Sequence, residues 1–126
     1  MTIYSYSQSG LALPAPYVTV ELWNVDVSLA RSVTCKALLD TGADVTLVPL
    51  AKLKQIRVAP IGNTQKLSGL GNLFVRPYWV GLRFDRDRIA GKRVFAWSQG
   101  VMLIGRDILN QYCITFDGPQ QEFTID

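Results

Sequence analysis

The sequence predicts an all-β domain with one short helix near its C-terminus. Short apolar runs, several alternating with polar residues, are broken by turn-forming residues roughly every 8–12 positions. Only around residues 107–112 does the apolar spacing change to a helical one. At 126 residues and 48% hydrophobic, the chain suits a single globular domain with a real core.

Residues 1–16 contain Ser, Pro and Tyr without a clear period and read as an N-terminal arm; residues 17–126 read as the domain. Val18, Val20 and Leu22 alternate with Thr19 and Glu21, as a half-buried strand requires. A second, more apolar strand covers 32–39 and stops at Asp40-Thr41-Gly42, where glycine permits a sharp turn. Residues 45–48 are β-prone and end at Pro49; 50–53 have room for one helical turn. Residues 66–76 carry Gly69 and Gly71 inside a strand-like run, which predicts a hairpin with a glycine tip. Strands are expected at 78–84, 94–97 and 101–104, with a polar turn over 85–91. Asp107, Ile108, Leu109 and Tyr112 fit a short amphipathic helix, and a last hairpin, 114–117 with 122–125, turns at Gly118-Pro119.

Composition excludes several functions. The chain has no His, which removes His-dependent triads and most zinc sites. Cys35 and Cys113 stand apart in apolar surroundings and are expected as buried free thiols of a reducing compartment. The net charge of +3 is mild, and its densest stretch (Arg83, Arg86, Arg88, Lys92, Arg93) is broken by Asp85 and Asp87. That pattern predicts a solvated hairpin face and no nucleic-acid partner. No apolar run approaches the roughly 18 residues of a membrane span, and the N-terminus lacks the pattern of a secretory signal. A cytoplasmic location, with no membrane partner, is the expectation.

The segment Ala37-Leu38-Leu39-Asp40-Thr41-Gly42-Ala43-Asp44 carries chemistry. Asp, Thr and Gly are common turn formers, so the triplet alone also fits an ordinary turn. An acid closing a buried apolar strand is poorly explained by packing, because a carboxylate taken from water needs amides or hydroxyls to satisfy it.

Together with Leu103-Ile104-Gly105-Arg106-Asp107-Ile108-Leu109 and Ser68-Gly69-Leu70-Gly71, this segment resembles the retropepsins, aspartic proteases of retroviruses and their cellular and bacterial relatives. The three motifs occur in family order, and the resemblance spans residues 17–117. It implies a closed-barrel-like acid-protease fold with a flap hairpin. It also implies an endopeptidase that hydrolyses extended peptides through two aspartates sharing a proton, without cofactor or metal. Pepsin-like enzymes encode two such loops in a chain over twice as long. Here only Asp40, among the Asp residues, is followed by Thr-Gly or Ser-Gly. The second carboxylate must come from another copy, so the implied partners are a second protomer and a peptide or protein substrate.

By position, the resemblance makes Asp40, Thr41 and Gly42 catalytic. It assigns Ala43 and Asp44 to substrate binding, with Asp44 held by Arg106 as structural support. Gly69, Leu70 and Gly71 would form the closing flap tip. Leu47, Val101 and Leu103 would line side-chain pockets, or belong to the core. Val45 stands where some retroviral enzymes carry a second acid, Ser68 and Asn72 replace smaller residues around the flap, and the hairpin after Phe116 resembles cellular and bacterial relatives. A non-catalytic dimerisation or peptide-binding module of the same fold is the alternative. An intact Asp40-Thr41-Gly42 favours the enzyme, because a binding module need not keep a buried acid pair.

Overall fold

The computed structural model describes residues 1–10, 12–27, 31–67 and 73–126. Their order is β1 (Thr2–Ser5), β2 (Tyr17–Trp23), β3 (Val33–Leu39), β4 (Leu47–Pro49), α1 (Leu50–Gln55), β5 (Gln65–Leu67) and β6 (Leu73–Val75). Then follow β7 (Pro77–Phe84), β8 (Asp87–Trp97), β9 (Met102–Ile104), α2 (Arg106–Leu109), β10 (Ile114–Asp117) and β11 (Glu122–Ile125). Six strands close a barrel in the order β2-β3-β9-β4-β8-β7, while β5 and β6 form a separate ladder and β1, β11 and β10 a third sheet.

Alternation in β2 and β3 builds one barrel wall. Antiparallel pairing places Val18 opposite Ala37 and Val20 opposite Cys35, and all four side chains are buried. Each aliphatic side chain so buried contributes about 1.5–3 kcal/mol relative to exposure. The opposite wall is the β7–β8 ladder, contributing Tyr78, Val80, Leu82, Phe84 and Val94 to the same core. Strand β9 lies between β3, to which it is parallel, and β4, to which it is antiparallel. The connection from β3 to β4 must therefore cross over the end of β9, and that crossing builds the site.

The terminal sheet is bolted to the barrel by aromatic and phenolic groups. Tyr4 stacks on Phe123 with ring centroids 5.0 Å apart. Its hydroxyl donates to Asp85 at 2.6 Å, and Tyr112 donates to Asp87 at 2.7 Å. Burial first, then its bond to Asp85, pushes the Tyr4 phenol up to about 12. Burial likewise raises Tyr112, reinforced by Asp87. For Asp85 burial acts upward, but hydrogen bonds led by that of Tyr4 prevail and hold the carboxyl below its usual range.

Several expectations are corrected. The arm is not wholly irregular: Thr2–Ser5 pair along β11, because Tyr4 has an aromatic neighbour in Phe123 that no local pattern displays. The polar stretch 85–91 turns only at Asp85 and Arg86. Asp85 takes φ 55°, and β8 then runs from Asp87 with arginines on the solvent side. The helical turn at 50–53 extends to Gln55, since the backbone angles of Pro49 deliver the chain into α1 and Leu53 is fully buried beneath it. The helix expected over 107–112 is the single turn Arg106–Leu109, followed by turns in which Gln111 and Tyr112 amides bond Ile108 and Leu109 carbonyls. Both cysteines are free thiols, but only Cys35 is buried; Cys113 is exposed at the outer end of β10.

Candidate active site

Asp40 sits where β3 ends. Its amide donates to the Ile104 carbonyl at 2.9 Å, prolonging the parallel β3–β9 pairing by one residue. Its carboxylate accepts the Gly42 amide at 2.9 Å, and its carbonyl accepts the Ala43 amide at 3.2 Å. The turn thus folds back on its own acid. Asp40 is half-buried, Thr41 and Gly42 are exposed, and Ala43 is buried beneath them. No cation bridges Asp40 among the described residues; one carboxylate oxygen is bonded to the Gly42 amide.

The loop crosses the chain at Gly105. A Cβ there would lie 2.5 Å from the Val45 carbonyl oxygen and 2.9 Å from that of Ala43, so no side chain fits. The start of α2 then grips the loop at several points. The Arg106 amide donates to Ala43 O at 2.8 Å. The Arg106 guanidinium donates to Thr41 O at 2.8 Å and is bonded to the Asp44 carboxylate. The expected Arg106–Asp44 pairing within one chain is present, although both side chains are substantially exposed; its worth lies in orientation more than in stability.

Three residues not assigned from the sequence complete the support. Thr46, fully buried, donates its hydroxyl to Asp107 at 2.8 Å and its amide to the same carboxylate at 3.2 Å. The same hydroxyl accepts the Gly105 amide at 3.3 Å. Lys92, reaching from β8, lies 3.3 Å from Asp107. Asp107 was visible in its motif only as a helix residue, and Lys92 only as part of a charged hairpin.

Of the pocket candidates, Leu47 and Leu103 are paired partners on β4 and β9. With Val75 and Phe95 they form a second apolar cluster, against which Leu38, Val45, Leu67, Leu73 and Trp97 pack. This cluster joins the Asp40 loop to the β5–β6 ladder. Val101 is half-buried, and its carbonyl accepts the Trp97 indole N–H at 2.9 Å. Gly69, Leu70 and Gly71, with Ser68 and Asn72, lie outside the described residues, but the strands that would carry them are present as β5 and β6.

This architecture matches solved structures across most of the chain. A retropepsin-like aspartic protease from Rickettsia conorii superposes with a TM-score of 0.65 over 98% of this chain and 88% of that one, at 11% identity. The chain has the retropepsin-like fold. EIAV protease, solved with an inhibitor, gives a TM-score of 0.53 at 23% identity, covering 83% of this chain and 93% of that one. A foamy viral protease–reverse transcriptase gives 0.56 at 18% identity, the match covering 76% of this chain and 12% of that longer one. No family model and no curated protein sequence matches. In this retropepsin-like fold, Asp40, Thr41, Gly42, Ala43, Asp44 and Arg106 all meet at one loop.

Proposed function

We propose that this protein is an aspartic endopeptidase acting as a homodimer, with Asp40 of each protomer supplying one carboxylate of the catalytic pair. The observation that carries the reading is the placement of Asp40. It is half-buried at a strand end, held by the Gly42 amide, and bridged by no cation among the described residues. An ordinary turn would also let Asp40 accept the Gly42 amide, but it would not gather Asp44, Arg106 and the Gly105 crossing at the same loop. Two such carboxylates brought together share a proton: the ionised one takes a proton from water as it attacks, and the protonated one donates to the scissile carbonyl. Arg106 keeps Asp44 at the loop's flank, where it can bind the main chain of an extended peptide, and the partly buried Val45, Leu73 and Trp97, packed on the Leu47–Leu103 cluster, favour apolar side chains beside the scissile bond.

The free edge of β10 is the seam we propose for the second copy. Cys113 and Asp126 exchange both backbone hydrogen bonds. Strict antiparallel alternation then turns the amides and carbonyls of Ile114 and Phe116 away from β11. No strand pairs with that edge among the described residues, and Phe116 beside it is 39% exposed. A two-fold axis through Thr115 would pair Ile114 with Phe116 of the second copy in both directions, satisfying the edge and covering the ring. The N-terminal strand β1 pairs with β11 within its own chain and forms the sheet's other edge.

The test is cleavage of a denatured protein mixture by purified protein, with and without a statine-type inhibitor, beside an Asp40→Asn control. Inhibitor-sensitive cleavage lost in the control is the expected result. A well-folded dimer that cleaves nothing would instead make this a peptide-binding module.

A further inference from the structure

We propose that Lys92 and Asp107 act as a pair of positioning residues for the catalytic loop, with a β-bulge in β8 aiming the lysine; this rests on the protease reading above. Opposite Val80 stands Lys92, and opposite Leu82 stands Ile89. One residue, Gly81, separates the first two on β7, whereas Ala90 and Gly91 separate the second two on β8. Had β8 paired regularly from Ile89, Gly91 would stand opposite Val80 and Arg93 would be turned inward. With the extra residue, Lys92 shares the inward face of the fully buried Val80, while Arg93 is exposed. The bulge is shaped for this. A Cβ on Gly91 would lie 2.5 Å from the Trp79 ring, so only glycine lets that ring cover the extra residue.

The lysine so aimed meets a carboxylate with two other duties. Asp107 accepts both the hydroxyl and the amide of Thr46, and its side chain is only 18% exposed. Thr46 in turn holds the Gly105 amide, directly beneath the crossing that carries Asp40 and Ala43. Two acids and two cations meet here. Arg106 serves Asp44 and the Thr41 carbonyl, and Lys92 serves Asp107. Sequence neighbours Arg106 and Asp107 would otherwise compete for each other. Remove Lys92, and Asp107 has two reliefs: to swing to solvent, releasing Thr46, or to recruit the Arg106 guanidinium, releasing Thr41 and Asp44. Either one loosens the loop that presents Asp40. Lys92 touches neither substrate nor reacting atoms; it acts through Asp107.

Lys92→Met, Lys92→Arg and the double variant Lys92→Met/Asp107→Asn separate this role from plain stabilisation. Steady-state kinetics on a peptide that the wild type cleaves are read beside amide hydrogen exchange at Thr46 and Gly105. Lys92→Met should lower kcat about ten-fold with KM within about two-fold, because the loop is misplaced while apolar binding stays intact. Exchange at the two amides should quicken about ten-fold while β2 and β7 keep their protection. Lys92→Arg should restore most of both, and the double variant should recover part of the exchange protection by discharging the unpaired acid. Wild-type kcat and exchange in Lys92→Met, or exchange that rises evenly around the barrel, would overturn the assignment. A wild type that cleaves nothing would defeat the protease reading, and the exchange measurements would still decide this one.

Discussion

Replacing Gly105 by Ala measures how tightly the Asp40 loop is seated. Gly105 has φ −91° and ψ −178°, an extended conformation that alanine adopts without strain, so the effect is steric alone. The added carbon would stand 2.5 Å from Val45 O, 2.7 Å from Val45 C and 2.9 Å from Ala43 O. All three are backbone atoms, so no side chain can rotate away. Restoring ordinary contact requires lifting the loop by about 1 Å, and overpacking of this kind costs about 1–3 kcal/mol. The same lift stretches the Arg106–Ala43 backbone bond of 2.8 Å and the Gly105–Thr46 bond of 3.3 Å. A displacement of about 1 Å near reacting groups lowers turnover on the order of 100-fold. Urea unfolding and peptide hydrolysis, made on the same preparation, read the two effects separately. The expected variant is folded, less stable by that amount and nearly inactive. A folded Gly105→Ala protein with activity within about three-fold of wild type would refute the claim that this crossing sets the position of Asp40.

Three further outcomes are expected. Wild type and Asp40→Ala, unfolded together and refolded at equal amounts, should retain about one quarter of the activity of the same total of wild type; about one half would mean that Asp40 has its partner acid within its own chain. Thr115→Cys in a Cys113→Ser background should form an intermolecular disulfide under mild oxidation, since directly opposed residues of a non-hydrogen-bonded pair stand about 4.5 Å apart, within disulfide reach; a chain that stays monomeric on a non-reducing gel would exclude the β10 seam. Tyr4→Phe should cost about 1.5–3 kcal/mol at neutral pH, the usual worth of a hydrogen bond to a charged group. Because the Asp85 carboxyl is held below its ordinary value, that contribution is complete above the unfolded value near pH 4 and is lost as pH falls through the lower folded one. Denaturation curves of the two proteins should therefore converge on acidification; a constant gap down to pH 2 would contradict the assignment.

Much of this protein is written in short-range pattern. Alternation at Val18, Val20 and Leu22 specifies a one-faced strand wherever it is placed, and the final hairpin follows from its two apolar runs around Gly118-Pro119. The Asp40 turn is equally local, since its closing bond joins Asp40 to Gly42. The Arg106–Asp44 pairing was expected only through resemblance, because it spans 62 positions.

Tertiary structure alone decided the rest, and the reasons are contacts between distant segments. Strand β1 has no period of its own; it exists because β11 offers an edge and Phe123 a ring for Tyr4. The length of α2 is limited by its task of gripping the loop and then releasing the chain into β10. The burial of Leu47 and Leu103 depends on β4 meeting β9 across the crossing. Lys92 reads in the sequence as one charge among several on a polar hairpin, and only a bulge registered against β7 turns it inward to Asp107. Local spacing determines which residues can share a face, whereas the register between segments far apart in the chain determines what that face meets.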